Sequence, residues 1–196
     1  MSTQVNPSSQ RRALAPSDLA RIAVFAALVA AMALTPPVPF GPIPLTLQTL
    51  GVALTGLCLG PWRGFSAMAL YVAVGAAGLP VFSGGAAGLG ILIGPTGGYL
   101  LSFPLAALVG GFVARWAVRR GLSQVTPFLM LGGLLLARYL VIMPIAVTHM
   151  SRVLGVTWRE ALFFDMPFWV ADLIKSVIAV IVAVAVHKAF PRLLGR

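Results

Sequence analysis

The chain has 196 residues, 59 % hydrophobic and only 9 % charged, with a formal net charge of +10 and a mean hydropathy of +0.98. A water-soluble domain carries charge on roughly a quarter of its positions, so this composition excludes a fold that covers its surface with polar side chains; lipid is the solvent it suits. At ~20 apolar residues per bilayer span, the length holds about six or seven helices in one domain.

Residues 1–17 begin polar and predict a disordered cytoplasmic tail. Arg11 and Arg12 precede Ser17, Asp18 and an apolar run, 19–34, which predicts the first span. A basic start followed by an apolar stretch and Ala31-Met32-Ala33 imitates a secretory signal, but further apolar runs follow in place of a soluble mature domain. Ala23, Ala27 and Ala31 repeat every four residues and make a small-residue stripe, which permits close helix approach within the protein or by a partner. Five prolines between 36 and 44 then stop the helix, because proline removes a donor and blocks helical geometry. Apolar runs at 45–59, 65–79, 99–118, 127–150 and 168–186 predict five more spans. Gly60-Pro61-Trp62-Arg63-Gly64 reads as a tight turn, and 151–167 as the most charged connection. The fold class is therefore expected to be all-α: a polytopic six-transmembrane-helix bundle over 18–190, followed by a cytoplasmic tail, 191–196.

The basic residues orient this bundle. With the N-terminus inside, the inner segments carry ten Lys and Arg residues and the outer segments two, Arg152 and Arg159; Arg138 and Lys175 fall within spans. The loops 36–44 and 80–98 have neither Lys nor Arg. By the positive-inside rule both termini are cytoplasmic and both Pro/Gly-rich loops face outward. The same scatter of basic residues between apolar runs argues against a nucleic-acid-binding patch. Cys58 is the single cysteine, which rules out an intrachain disulfide and gives no thiolate-metal signal.

Three features carry candidate chemistry. Residues 80–98 hold seven glycines, and Pro95 with Gly97-Gly98 argues against one continuous helix there. No Gly-Lys-Ser/Thr follows, so this is not a phosphate loop. Irregular backbone at membrane depth survives when it is buried in protein or lines a cavity; close packing through Gly84/Gly88 and Gly90/Gly94 is the competing reading. Asp172 and Lys175, three apart on one face of the last span, either neutralise each other or meet a polar, anionic ligand. Arg138, in the middle of the fifth run, lines the same cavity, pairs with Asp172, or snorkels. Gln48 and Thr46 follow the proline loop and can point to the cavity or bond across helices. Tyr99, Phe168 and Trp169 read first as interfacial belt residues, with stacking on a ligand as the alternative.

Catalytic constellations are missing. His149 and His187 fall at opposite predicted membrane sides and cannot share a metal, and four acidic residues leave little for acid–base work; Asp165, beside Glu160 near the outer interface, reads as weakly placed. No enzyme activity, metal or cofactor is expected, and with no ATP-binding motif any pumping energy comes from a partner or a gradient.

Ile43-Pro44-Leu45-Thr46-Leu47-Gln48-Thr49-Leu50-Gly51, Gly78-Leu79-Pro80-Val81-Phe82, Gly94-Pro95-Thr96-Gly97-Gly98-Tyr99 and Asp172-Leu173-Ile174-Lys175 occur in the order and spacing of the BioY family, which the chain resembles. Members of that family are the biotin-specific substrate-capture (S) subunits of energy-coupling factor (ECF) transporters. The resemblance implies a six-helix bundle with cytoplasmic termini and an outward pocket roofed by the loops after the first and third spans. It implies biotin as ligand, Asp172 and Lys175 as binding residues, and Thr96 beside the pocket; Gly97, Gln48, Tyr99 and Arg138 join them as candidates. It implies that Ala23, Ala27 and Ala31 face a transmembrane coupling (T) subunit, with two ATPase subunits completing an importer in the bacterial cell (inner) membrane. Other readings stay open: another water-soluble vitamin such as thiamin or riboflavin, a carrier working alone or as a homo-oligomer, and a lipid-processing enzyme.

Overall fold

Proline and glycine set most of the helix boundaries. In the computed structural model, which describes residues 15–39, 41–191 and 193–194, α1 spans Pro16–Ala33 and starts with its proline at the first helical positions, where the missing N–H costs nothing. Pro16 and Ser17, expected in the tail, are the first residues of this helix. The tail itself, with Arg11 and Arg12, and Arg192 and Arg196 at the other end, lie outside the described residues.

Helices α2 (Gln48–Leu59) and α3 (Pro61–Ala76) form a hairpin whose only link is Gly60. Its φ of 77° is left-handed and suits glycine, while Pro61 starts α3 four residues before the expected span. The glycine-rich segment holds a 3-10 turn, Ser83–Gly85, and a five-residue helix α4, Leu89–Ile93, before α5 (Gly97–Arg119). The expected break in this segment is present: Gly94-Pro95-Thr96 separates α4 from α5.

The fifth apolar run is α6 (Thr126–Ala137), a π-helical turn (Arg138–Ile142) and α7 (Met143–Leu154) in one rod. Pro144 sits just past the turn. Its ring would clash with the carbonyl four residues back, at Leu140, and a widened turn relieves that. The expected charged connection 151–167 is mostly helix. Only 155–157 separates α7 from α8 (Trp158–Ala189), because Gly155 ends one helix in the left-handed conformation (φ 66°) and Thr157 starts the next. Thr157 and Glu160 form a reciprocal capping box: Thr157 N donates to Glu160 Oε2 at 2.8 Å and Glu160 N to Thr157 Oγ1 at 3.3 Å.

The described residues are all-helical apart from one antiparallel bridge, Val38–Leu45, within the α1–α2 loop. Four stretches are long and apolar enough to cross a membrane: Pro16–Ala33, Gly97–Arg119, Thr126–Leu154 and Trp158–Ala189. Of these, α5 is the central post, mostly buried, whereas α1 is mostly exposed. Glycine makes the central packing close. A Cβ added at Gly111 on α5 would stand 2.5 Å from the Gly60 carbonyl carbon, and one at Gly56 on α2 would stand 2.8 Å from Ala107 O. The residues buried on α8 include Ala161, Asp165, Phe168, Asp172, Lys175, Ala179 and Ala183, one stripe at helical spacing facing the bundle. Its opposite side exposes Val170, Ile174, Ile178 and Ile181, as a lipid-facing helix does.

Candidate functional site

One end of the bundle carries the α1–α2 loop and the α3–α5 segment, and between them lies a cavity of about 270 Å3, near the lower limit for small-molecule sites. Ile43, Phe82, Ile91, Leu100, Phe103 and Phe168 give it an apolar wall; Thr46, Gln48, Thr49, Ser83, Thr96, Tyr99 and Lys175 supply the polar groups. Of the residues expected from sequence, Lys175, Thr96, Gln48 and Tyr99 line it. Asp172 and Arg138 stand behind Lys175 and line a second void of about 30 Å3, which shares Thr49 and Lys175 with the cavity. Gly97 is buried at the start of α5, outside the cavity wall; a Cβ there would fall 1.8 Å from Leu92 O, so this position allows the α4–α5 bend to close.

The loops are held by buried polar bonds. Gln48 Nε2 donates to the Tyr71 hydroxyl at 2.7 Å, and that hydroxyl donates to Val81 O at 3.0 Å, joining α2, α3 and the segment after α3. Phe82 packs edge-on against Tyr71, with ring centroids 5.6 Å apart. It fills a slot that exists because residue 75 is glycine: a Cβ there would come within 2.3 Å of the Phe82 ring. On the far side His149 Nε2 donates to Gly94 O at 3.0 Å, which ties the Gly94-Pro95-Thr96 break to α7.

Below the cavity lies a four-charge cluster. Asp172 receives Lys175 Nζ at 3.1 Å and Thr49 Oγ1 at 2.7 Å on Oδ1, and Arg138 Nε at 2.7 Å on Oδ2. Lys175 Nζ also donates to Thr49 Oγ1 at 3.0 Å. Arg138 Nη2 reaches both oxygens of Asp165, at 2.8 and 2.9 Å. Asp165 takes two further donors, Trp169 Nε1 at 2.9 Å and the Tyr99 hydroxyl. The four side chains are 0–9 % exposed. Two cations meet two carboxylates, so the cluster is neutral. Burial of unpaired charge at such depth costs several kcal/mol per ion, and mutual pairing with every carboxylate oxygen satisfied is what makes this arrangement tenable.

The structure selects among the readings left open for Arg138: it pairs, with Asp172 and Asp165 together. It corrects the reading of Asp165 as a weakly placed interfacial acid, because the side chain is fully buried and holds four hydrogen bonds. The seven-residue spacing of Asp165 and Asp172, two turns on one helix face, was the available signal. It also corrects the interfacial-belt reading for Tyr99 and Phe168, which are buried and line the cavity; Trp169 is spent on Asp165. Thr49, placed between Lys175 and Asp172, stands in the motif 43–51 one residue after Gln48, with no spacing signal that ties it to the last helix. Among the described residues no His, Cys, Asp and Glu group could hold a metal.

The BioY family model matches residues 3–192. The chain is 36 % identical over 187 residues to a biotin transporter BioY of Rhizobium etli, covering 91 % of this chain and 97 % of that protein. It is 36 % identical over 168 residues to a probable biotin transporter BioY of Pyrococcus horikoshii, covering 85 % and 93 %. Among solved structures, the S-component for biotin from an ECF-type ABC transporter superposes with a TM-score of 0.81 at 26 % identity, covering 88 % of this chain and 91 % of that one.

Proposed function

The chain belongs to the BioY family, and from that premise we propose that it captures biotin and delivers it across the membrane as the substrate-specific subunit of an ATP-driven ECF importer. It is a multi-pass membrane protein and not an enzyme. The observation that carries the reading is the position of Lys175: one cation at the base of a largely apolar cavity of small-molecule size. Biotin has the matching chemistry, a carboxylate on an apolar chain and a fused ring system ending in a ureido group. Lys175 supplies the charge complement. Asp172 orients the lysine, Arg138 orients Asp172, and Thr96, Gln48 and Tyr99 offer hydrogen-bonding groups to the rest of the molecule; Gly97 acts through the backbone bend that presents Thr96. A thiamin-type cation would meet a lysine of like sign, which favours biotin over that alternative.

In this reading the bundle has six spans. The four long apolar helices are joined by α2 and α3, whose shorter length suits a hairpin packed against α5. Both termini are cytoplasmic and the cavity opens outward, a reading supported by Arg21, Arg63, Arg119, Arg120 and Lys188 on the helix ends away from the cavity. Ala23, Ala27 and Ala31 are all exposed on α1, which supports them as the surface that meets a transmembrane T subunit, with ATPase subunits beyond it. The site of action is the bacterial cell (inner) membrane.

The test is labelled-biotin binding to the purified protein, followed by biotin uptake in cells with and without coupling and ATPase subunits. High-affinity binding and partner-dependent uptake are expected; a protein that binds no biotin overturns the assignment, and full uptake without partners makes it a carrier in its own right.

A further inference from the structure

At the end of the bundle away from the cavity, α5 carries cations that the chain does not neutralise. The chain has four acidic residues, and each is engaged elsewhere. Asp18 pairs with Arg63 at 3.0 Å and with Arg21 at 3.3 Å. Glu160 caps α8 at the opposite end. Asp165 and Asp172 hold Arg138 and Lys175. No acidic side chain is left for Arg115, Arg119 and Arg120 at the end of α5. The partial charge of a helix C-terminus is roughly half an elementary unit, too little for three cations. Phe112, Arg115, Trp116, Arg119 and Arg120 share one side of α5 by helical spacing, opposite the buried Gly110, Ala114 and Val118. All are exposed except Arg115, which is half-buried, with its Nε buried and without an acceptor among the described residues. Arg120 stacks on Trp116, 3.9 Å from the ring centroid. Trp62 of α3, also exposed, meets Phe112 edge-on at 5.9 Å. Guanidinium groups and aromatic rings thus share one outward face.

We propose that this face of α5 binds the phosphate headgroup of an anionic phospholipid, in the leaflet at the end of the bundle away from the cavity. The orientation proposed above makes that the cytoplasmic leaflet; the chemistry of the face is the same in either. Arg115 stands one turn inside the helix end, where an unpaired charge is costly, and its long stem reaches the headgroup layer. A phosphate there accepts charge-assisted bonds from the planar guanidinium groups. It supplies the counter-charge that the chain lacks and an acceptor for Arg115. Trp62, Phe112 and Trp116 suit the depth where headgroups give way to acyl chains, which aromatic side chains favour. An acidic partner surface would match the charge, whereas exposed rings beside arginines at a membrane interface match lipid. A headgroup held here fixes the depth of α5, against which α2, α3 and α6 pack.

The experiment is native mass spectrometry of the full chain, stripped of lipid in detergent and titrated with phosphatidylglycerol or with phosphatidylcholine of the same acyl chains. Phosphatidylglycerol should bind roughly tenfold tighter. Arg115→Gln, Arg119→Gln and Arg120→Gln combined should bring the two lipids within about twofold of each other, with biotin binding unchanged. Arg152→Gln with Arg159→Gln, at the other end of the bundle, should keep the preference. Where the triple variant does not fold, Arg119→Gln and Arg120→Gln singly should each reduce it. Equal binding of the two lipids by the unmutated chain overturns the inference, as does a preference that survives the triple variant. Loss of coupling and ATPase subunits from the triple variant, with its lipid preference intact, assigns the face to an acidic partner and also overturns it. The lipid preference is read without biotin, so its failure and a failure of biotin capture are distinguishable.

Discussion

Arg138 Nε stands 2.7 Å from Asp172 Oδ2, and this contact connects a helix irregularity to the ligand site. Arg138 opens the π turn that Pro144 requires, Asp172 holds Lys175, and Lys175 is the one cation on the cavity wall among the described residues. The widened turn offsets the side chains that follow it relative to an α-helical register, so the geometry of the turn and the aim of the arginine are set together.

Removing Arg138 tests that connection through stability. Arg138→Gln leaves Asp165 without its cation and Asp172 with Lys175 alone in a buried site, a change that costs about 3–5 kcal/mol. The unfolding temperature in detergent should drop markedly. Arg138→Gln combined with Asp165→Asn restores neutrality and should recover a large part of the loss. Equal destabilisation in the single and double variants would mean that the pairing contributes little.

Lys175→Met tests charge complementarity with little change of volume. A charge-assisted hydrogen bond contributes roughly 1.5–3 kcal/mol, so biotin affinity should fall about 10- to 100-fold. A neutral amide of biotin should lose much less. A loss of the same size for both ligands would assign Lys175 to cavity shape instead.

How much of this site could be read from the sequence depended on whether a signal was local. The Asp172–Lys175 pair, the break at Gly94-Pro95-Thr96 and the capping box at Thr157 are patterns within one turn or one motif, and each is legible. The partner of Arg138 lies 27 and 34 residues away in the chain, and no spacing rule reaches that far. Tyr99 and Phe168 look like belt aromatics because a hydropathy profile shows depth and hides which way a residue faces. The stretch 151–167 is the most charged between apolar runs, and that charge masks Thr157-x-x-Glu160, the capping signal that marks where α8 begins.

The roof of the cavity gives a prediction independent of charge. Gly75→Ala places a methyl group within 2.3 Å of the Phe82 ring, and Phe82 has no room to stay. Displaced, it gives up its edge contact with Tyr71, worth about 0.5–1.5 kcal/mol, and the segment carrying Ser83 and Ala86 loosens. Biotin should dissociate faster, by roughly tenfold, with a smaller change in association rate. The companion variant Phe82→Ala removes the clashing ring, so Gly75→Ala should add little in its presence. Strict additivity of the two would show that they do not act through the same contact.

The exposed stripe on α1 provides the last prediction. Ala23, Ala27 and Ala31 are exposed among the described residues and make a shallow surface, and two helices approach closely only where small residues allow it. Ala27→Trp fills the middle of that surface with an indole. Because Ala27 points away from the cavity-facing residues of the bundle, biotin binding by the purified protein should be unchanged. Co-purification of coupling and ATPase subunits should be lost, and ATP-dependent uptake with it. Ala27→Gly keeps the surface small and should retain both. If Ala27→Trp still assembles, the T subunit docks elsewhere; if it loses biotin binding while remaining folded, α1 belongs to the capture machinery and not to a separate docking face.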